Sequence, residues 1–246
     1  MLKLKYYTSI LLVFCFKTTF AQTTIVNHFN KIIISPHIQV TFIQGDEEKV
    51  SIEKSSVSND KINIEVNGKT LRIYLDDAKE VTKNETVYED GRETKRAIYK
   101  GTVVIATVTY KTLDELSVRG EEDMLCKSLL KGDEFRLKLY GESRMVLNEV
   151  SLGNLSTTIY GESALEIKSG SITDQKYTAY GESRINSRGI TGNTVKITAY
   201  GEADFQVNVK DEIKITSFGN AKLKYKGNPT ITKGLNVGGV EIAKID

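Results

Sequence analysis

The amino-acid sequence predicts an all-β fold, a parallel β-solenoid with about 20 residues in each coil and a strand-rich cap at its N-terminal end. Three observations lead to this prediction. A glycine-centred motif recurs at a fixed period, apolar and polar residues alternate within each copy, and the residues beside each glycine are nearly the same every time. A fixed period in this range is typical of stacked supersecondary units.

The recurring motif is Tyr-Gly-Glu in its best-kept copies and Phe-Gly-Asn in a drifted one. Its glycines are Gly120, Gly141, Gly161, Gly181, Gly201, Gly219 and Gly239, separated by 21, 20, 20, 20, 18 and 20 residues. Such a unit is too short for a strand-helix-strand crossover, which takes about 30 residues or more. The main alternative is an antiparallel β-sandwich, which also has short strands at regular spacing. The repeated corner chemistry favours the solenoid, with each coil about 4.8 Å from the next.

Alternation within each copy indicates which side chains face inward. A period of two means extended strand with one buried face, and the glycine does not change the parity. We therefore expect inward files of equivalent residues from successive coils. They are Leu139, Ile159, Ala179, Ala199 and Ser217; Ser143, Ser163, Ser183, Ala203 and Ala221; and Met145, Leu165, Ile185, Phe205 and Leu223.

The first 21 residues are typical of a secretory signal peptide. Lys3 and Lys5 form its charged start, Ile10–Phe16 its apolar core, and a small residue, Ala21, its cleavage end. Lipidation at Cys15 is disfavoured, because the bulky Phe14 precedes that cysteine. We expect export to the periplasm, the outer surface or the extracellular medium. The apolar run is shorter than the roughly 20 residues that span a bilayer, so we expect no transmembrane segment in the mature chain.

The remaining chain is predicted to form one continuous domain, residues 22–246. Residues 22–75 are expected to form the N-terminal cap or first coils, including a hairpin at Asn67-Gly68. Residues 76–101 are rich in charge and turn formers and are predicted to form a loop or hairpin insertion. Residues 102–246 are predicted to form the regular coils.

Charge and cysteine content limit the possible functions. The sequence has 34 Lys and Arg against 32 Asp and Glu, and removal of residues 1–21 takes away three lysines, leaving 31 bases. A nearly neutral chain disfavours nucleic acid as a partner. The remaining cysteine, Cys126, is expected to be a buried thiol. His28 and His37 lack a ligand cluster in metal spacing and are expected to be surface or cap residues, so no metal and no cofactor is predicted.

The candidate functional site is an outward ridge of aromatic and acidic residues beside the glycines. We call it the Tyr–Glu ridge; its members are Tyr140, Tyr160, Tyr180, Tyr200, Glu142, Glu162, Glu182 and Glu202. One interpretation is a solvated ridge whose tyrosines only support one another. The other is a binding surface for a glycan or a cell-surface protein, with rings packing against a sugar and carboxylates accepting its hydroxyls.

A catalytic role for the same ridge is the alternative hypothesis, namely a carbohydrate-active enzyme of the glycoside hydrolase or lyase type. Glycosidases use two carboxylates about 5 to 9.5 Å apart, a distance that stacked coils supply. Catalysis also needs one acid with a perturbed pKa, and a periodic file singles out none. No catalytic residue is therefore predicted, and the sequence does not indicate an oligomeric state.

The chain resembles a known family, the secreted bacterial "putative auto-transporter adhesin, head GIN domain" proteins. The resemblance covers roughly residues 29–242 and depends on the segments Phe29–Ile32, Ile38–Asp46, Lys69–Ile73 and Leu113–Gly120, together with the glycine-centred repeats. It implies a right-handed β-helix-like fold, export from the cytoplasm and no established activity, and the family name suggests adhesion. The sequence thus predicts a secreted, non-catalytic β-solenoid that acts in adhesin-like binding or as an envelope scaffold.

Overall fold

The computed structural model describes residues 22–89 and 91–246. The predicted signal peptide and Cys15 lie outside these residues. About 76% of the described residues lie in strands, which are arranged as a β-solenoid of about six turns. The predicted fold class, an all-β parallel solenoid, is therefore confirmed.

The secondary structure consists of sixteen strands and one turn of 3-10 helix (Asn59–Lys61) within the described residues. The strands are β1 (Gln22–Ile25), β2 (Lys31–Ile34), β3 (Ile38–Gln44), β4 (Lys49–Ser55), β5 (Ile62–Asn67), β6 (Thr70–Leu75), β7 (Asn84–Glu89), β8 (Arg92–Ala97), β9 (Val104–Tyr110), β10 (Glu115–Gly120), β11 (Asp123–Gly141), β12 (Arg144–Gly161), β13 (Ala164–Ile167), β14 (Gly170–Tyr180), β15 (Ser183–Lys226) and β16 (Thr230–Lys244).

Successive coils pair in parallel with a register of 20 residues through the middle of the chain. Tyr140 pairs with Tyr160, Tyr160 with Tyr180, and Tyr180 with Tyr200. The ladder continues around the corners, so β15 runs for 44 residues as one strand. This register puts equivalent residues of neighbouring coils directly beside one another.

All fifteen residues predicted to face inward are buried. The file of Leu139, Ile159, Ala179 and Ala199 is fully covered, with 0% exposure at each position. Buried apolar residues from both ends of the chain belong to one hydrophobic core. Apolar burial of this kind is the main favourable term in folding, and here it is repeated coil after coil.

The corner glycines are required for two separate reasons. Gly141, Gly161 and Gly181 have φ of 100°, 102° and 101°, which side-chain-bearing residues rarely adopt. A Cβ at Gly161 would also lie 2.4 Å from the Gly141 carbonyl oxygen of the preceding coil. The last member of the glycine file differs from the prediction: Gly219 pairs with Gly238, whose φ is 105°, and Gly239 instead pairs with Asn220. The position of the corner glycine is therefore set by its left-handed backbone conformation and not by a constant spacing of 20 residues.

The N-terminal strands do not stack in the order in which they occur along the chain. The coil of β2 and β3 lies between two others, with β6 and β9 on one side and β10 and β11 on the other. All of these pairings are parallel. Antiparallel strands then close the outer end, β5 on β6 and β4 on β9, and β1 pairs antiparallel with β4. These strands cover edges that would otherwise be open to further pairing.

Two hairpins occur in the first half of the chain. Strands β5 and β6 form the hairpin expected at Asn67-Gly68, with Gly68 at a φ of 59°. Strands β7 and β8 form a separate two-stranded sheet within the charged segment 76–101. The loop that precedes β7 lies against the first coils, because Glu80 forms ion pairs with Arg72 and Arg119. No helix within residues 22–89 and 91–246 has the length and the apolar character needed to span a bilayer.

Candidate functional site

The four tyrosines of the Tyr–Glu ridge form a continuous aromatic stack, which Phe218 extends. We call these five residues the tyrosine file. Its ring centroids are 5.0, 4.8, 4.8 and 5.1 Å apart, and neighbouring ring planes differ by only 2° to 6°. The spacing is that of adjacent strands, so the parallel register alone accounts for the stack. The prediction that these residues lie together on one face is confirmed.

A cation covers the N-terminal end of the tyrosine file. Arg119 of the preceding coil pairs with Tyr140, and its guanidinium carbon lies 4.8 Å from the Tyr140 ring centroid. The same guanidinium contacts Glu80, with an Nη1–Oε2 distance of 2.6 Å. At the other end, Phe218 pairs with Val237 of the last coil. Cation–π contact at Tyr140 thus completes the stack where no further ring is present.

This geometry changes what the tyrosines can bind. The ring faces within the file are covered by neighbouring rings, so they are not available for packing against a sugar. The glycan-binding interpretation of the sequence requires such free faces. What remains exposed is a row of ring edges and hydroxyl groups. Tyr160, Tyr180 and Tyr200 are 39%, 37% and 39% exposed. The file therefore presents a narrow, amphipathic edge rather than a flat aromatic platform.

The four glutamates of the ridge form a second file on the solvent side of the glycine corner. Glu142, Glu162, Glu182 and Glu202 are all exposed. Within residues 22–89 and 91–246, no hydrogen bond or ion pair engages their carboxylates. Their neighbours two residues on differ in sign from coil to coil, and Arg144 there contacts Glu166 at 3.7 Å. The carboxylates of the glutamate file are thus exposed and form no direct ion pair within the described part of the chain.

Buried serines fix the corner between the two files. The Ser163 hydroxyl donates to the Gly141 carbonyl oxygen at 3.0 Å, and the Ser183 hydroxyl donates to that of Gly161 at 3.4 Å. The backbone N–H of Glu162 donates to the same Gly141 oxygen at 2.9 Å. At these two corners a serine hydroxyl joins one coil to the preceding one, and at Glu162 a backbone hydrogen bond adds to this link. This holds the ridge residues in fixed positions on a rigid scaffold.

Two features near the ridge were not predicted from the sequence. One is a file of mainly basic residues on the same face, Arg136, Ser156, Lys176 and Lys196, paired coil to coil. Writing the sequence in rows of 20 would have revealed it. The other is a cavity beside Tyr140, where Arg119, the loop around Val81 and the corner at Glu122 meet. No sequence signal predicts this cavity, because its walls come from distant segments.

The other residues considered in the sequence analysis are one cysteine and two histidines, and each of them contacts other parts of the protein. Cys126 is 2% exposed, and burial raises the pKa of its thiol, which confirms a buried cysteine. His28 contacts Glu48 at 3.0 Å near the surface. His37, in the predicted cap, joins two other segments, with Nδ1 2.7 Å from the Gly101 carbonyl oxygen and Nε2 2.6 Å from Thr82 Oγ1. Among the residues that the structure describes, no group of three or more His, Cys, Asp or Glu could hold a metal ion.

Comparison with known families identifies the chain. Residues 28–229 match the family described as "Putative auto-transporter adhesin, head GIN domain". The chain belongs to this family. Its head GIN domain thus includes the coils that carry the Tyr–Glu ridge. No match was found among curated proteins.

Solved structures share the fold of this head GIN domain. A "putative adhesin" from Bacteroides fragilis NCTC 9343 has a TM-score of 0.76 and 21% identity, covering 93% of this chain and 98% of that one. A "putative adhesin" from Parabacteroides merdae ATCC 43184 has a TM-score of 0.66 and 19% identity, covering 92% and 95%. A "putative lipid binding protein" from Parabacteroides distasonis ATCC 8503 has a TM-score of 0.64 and 17% identity, covering 93% and 98%. At these identities the similarity establishes the solenoid fold alone.

Proposed function

We propose that this head GIN domain is a secreted, non-catalytic binding module that recognises a protein on a cell surface through the Tyr–Glu ridge. The observation that carries the proposal is the exposed glutamate file, which forms no direct ion pair within the described residues, beside the exposed edges of the tyrosine file. The family's description as one of adhesins supports binding at a surface. The signal-like start of the chain supports export to the periplasm, the outer surface or the extracellular medium.

The charge of the ridge favours a partner that supplies cations or hydrogen-bond donors. Adjacent carboxylates at the coil spacing repel one another by about 1 kcal/mol or less in water. A partner bearing Lys or Arg side chains relieves that repulsion when it binds. The tyrosine hydroxyls and ring edges add the amphipathic contact that is common in protein interfaces.

A protein partner fits this geometry better than a glycan. Stacking of a sugar ring needs a free aromatic face. Neighbouring rings cover both faces of Tyr160, Tyr180 and Tyr200, and Arg119 and Tyr160 cover the two faces of Tyr140. The enzyme alternative gains no support from the ridge. Its glutamates occupy equivalent exposed positions, whereas catalysis needs one acid that differs from the rest.

The test is cell binding by a variant that removes the charge of the glutamate file and leaves its shape. In the ridge variant, Glu142, Glu162, Glu182 and Glu202 are replaced by Gln. A charge-matched control replaces four exposed acids elsewhere, with Glu93, Glu149 and Glu241 changed to Gln and Asp211 changed to Asn. Labelled protein is added to intact bacterial cells, with or without protease treatment, and bound label is measured by flow cytometry.

We expect the wild type and the control to bind untreated cells and the ridge variant to lose at least about tenfold in affinity, equivalent to about 1.4 kcal/mol. Protease treatment of the cells should remove the binding. Undiminished binding by the ridge variant would refute the proposal, and binding that survives protease would indicate a glycan. Product release from a glycan that Glu162→Gln or Glu182→Gln alone abolishes would support the enzyme hypothesis instead.

A further inference from the structure

A cavity of about 400 Å³ lies at the N-terminal end of the Tyr–Glu ridge. Its lining combines residues from the first coils, from the loop before β7 and from the first corner of the regular coils, among them Pro36, Glu80, Val81, Arg119, Glu121 and Tyr140. Small-molecule sites have volumes of about 300 to 1,000 Å³ and are mostly apolar with a few convergent polar groups. This cavity falls near the lower end of that range.

One wall of the cavity is held in place before any ligand arrives. Arg119 contacts Glu80 at 2.6 Å and lies over the Tyr140 ring, and Glu80 also pairs with Arg72. Such a wall is rigid, as expected of a preformed site.

The floor of the cavity contains a carboxyl group that the fold alone does not require. Glu122 occupies the inward corner position that Ser143, Ser163 and Ser183 hold in later coils, and its side chain is only 3% exposed. Its Oε2 accepts the Glu121 backbone N–H at 3.0 Å, and its Oε1 lies 3.9 Å from His37 Nδ1. Three later coils make the same corner with a small hydroxyl, so a buried carboxylate at this one is a local feature of the cavity.

The side chains around the cavity favour an uncharged ligand. Arg72 and Arg119 share Glu80, and the exposed Glu121 adds a second carboxylate, so the two signs of charge nearly balance around the cavity. A ligand with several hydroxyl groups can donate to the carboxylates and accept from Arg119 at the same time. Val81, which is 75% exposed, and Pro36 provide apolar surface for carbon-bound hydrogens.

We propose that the head cavity, lined by Pro36, Glu80, Val81, Arg119, Glu121, Glu122 and Tyr140, binds a single neutral, hexose-sized sugar ring. The sugar is either a free monosaccharide or the terminal residue of a glycan. This site shares Tyr140 with the ridge interface proposed above and includes none of the ridge glutamates. It needs no free aromatic face and no charge on the glutamate file, so either proposal can fail without the other.

The test uses matched variants in the purified protein. Val81→Ser removes apolar wall and Glu121→Gln removes an exposed acceptor; both residues are exposed, so the fold should tolerate the changes. Val237→Ser, at an exposed valine of the last coil, and Glu149→Gln, at an exposed acid outside the cavity, are the controls. Binding is measured by saturation-transfer NMR and calorimetry with glucose, galactose, N-acetylglucosamine, their methyl glycosides and oligosaccharides, and with acetate and L-lysine as charged probes.

At least one neutral sugar should bind, with each cavity variant weakening it fivefold or more and each control changing it less than twofold. A glycan terminus is the source if an oligosaccharide binds at least as tightly as the methyl glycoside, and a free sugar is the source if only the reducing monosaccharide binds. The proposal is overturned if no sugar binds, if only a charged probe binds, or if the controls weaken binding as much as the cavity variants do. Retained sugar binding in the fourfold Gln variant of the glutamate file would separate this site from the ridge.

Discussion

Replacement of a single corner glycine tests how tightly neighbouring coils are fitted together. In Gly161→Ala, the new Cβ would lie 2.4 Å from the Gly141 carbonyl oxygen, and the residue would keep a φ of 102°. That oxygen accepts hydrogen bonds from Glu162 N at 2.9 Å and from Ser163 Oγ at 3.0 Å. It cannot move away without weakening both bonds, so the strain at Gly161 cannot be relieved locally.

The expected cost follows from these two terms. A side chain held in a sparsely populated backbone region costs about 1 to 3 kcal/mol. Two weakened hydrogen bonds cost about 1 kcal/mol each. We therefore expect Gly161→Ala to lower the free energy of unfolding by about 3 to 5 kcal/mol, a large part of the roughly 5 to 15 kcal/mol typical of a folded protein.

The assay is urea unfolding of the purified protein, followed by circular dichroism. Gly132→Ala is the matched control, because its φ is not positive and its nearest neighbour, the Glu134 carbonyl oxygen, is 3.8 Å from the new Cβ. That variant should be within about 1 kcal/mol of the wild type or slightly more stable. Gly181→Ala, with a 2.9 Å contact, should fall between the two. Equal stabilities for Gly161→Ala and Gly132→Ala would refute the reasoning.

Three further predictions concern single side chains. Tyr180→Ala removes two ring stacks and should lower the free energy of unfolding by about 1 to 3 kcal/mol in urea titrations, whereas Tyr180→Phe, which keeps both stacks, should change it little. Burial raises the pKa of Glu122 in the folded state, so the wild type loses stability as pH rises above the usual pKa of 4.5. The melting temperature of Glu122→Gln relative to that of the wild type should therefore increase between about pH 4 and about pH 7. A constant difference between the two melting temperatures would contradict this. Cys126 should react with a thiol reagent only after denaturation, and rapid labelling of the native protein would show that the core is open there.

The regular coils could be predicted from the sequence because their rules are local and repeated. Alternation decided which residues face inward, and Leu139, Ile159 and Ala179 are buried as expected. The period then placed Tyr160 against Tyr180. Both arguments depend only on strand geometry and on the parallel register, which the glycine corners maintain.

The order of the first coils could not be predicted in the same way. Strands β2 and β3 carry no copy of the glycine motif, and the coil formed by β6 and β9 is interrupted by the β7–β8 hairpin. Strand β2 therefore pairs with β6 on one side and on the other side with β10, where the regular register begins. Alternation identifies the strands, but it does not specify which of them are neighbours.

The role of the tyrosines required coordinates for a different reason. The sequence shows that Tyr140, Tyr160 and Tyr180 lie on one outward face, and it does not specify the angle of the rings to the solenoid axis. With planes within 6° of one another and centroids about one strand spacing apart, the rings cover each other. The distinction between a platform and an edge comes from this ring orientation alone.

The in-register stacking of successive coils is tested most directly by cysteine cross-linking. Thr158 and Thr178 are paired residues of adjacent coils, and paired strand positions have Cα separations compatible with a disulfide, about 4.4 to 6.8 Å. In a Cys126→Ser background, Thr158→Cys with Thr178→Cys should form an intramolecular disulfide in high yield under mild oxidation, while Thr158→Cys with Lys168→Cys, half a coil apart, should stay reduced. A disulfide in the second pair but not in the first would contradict the stacked-coil account.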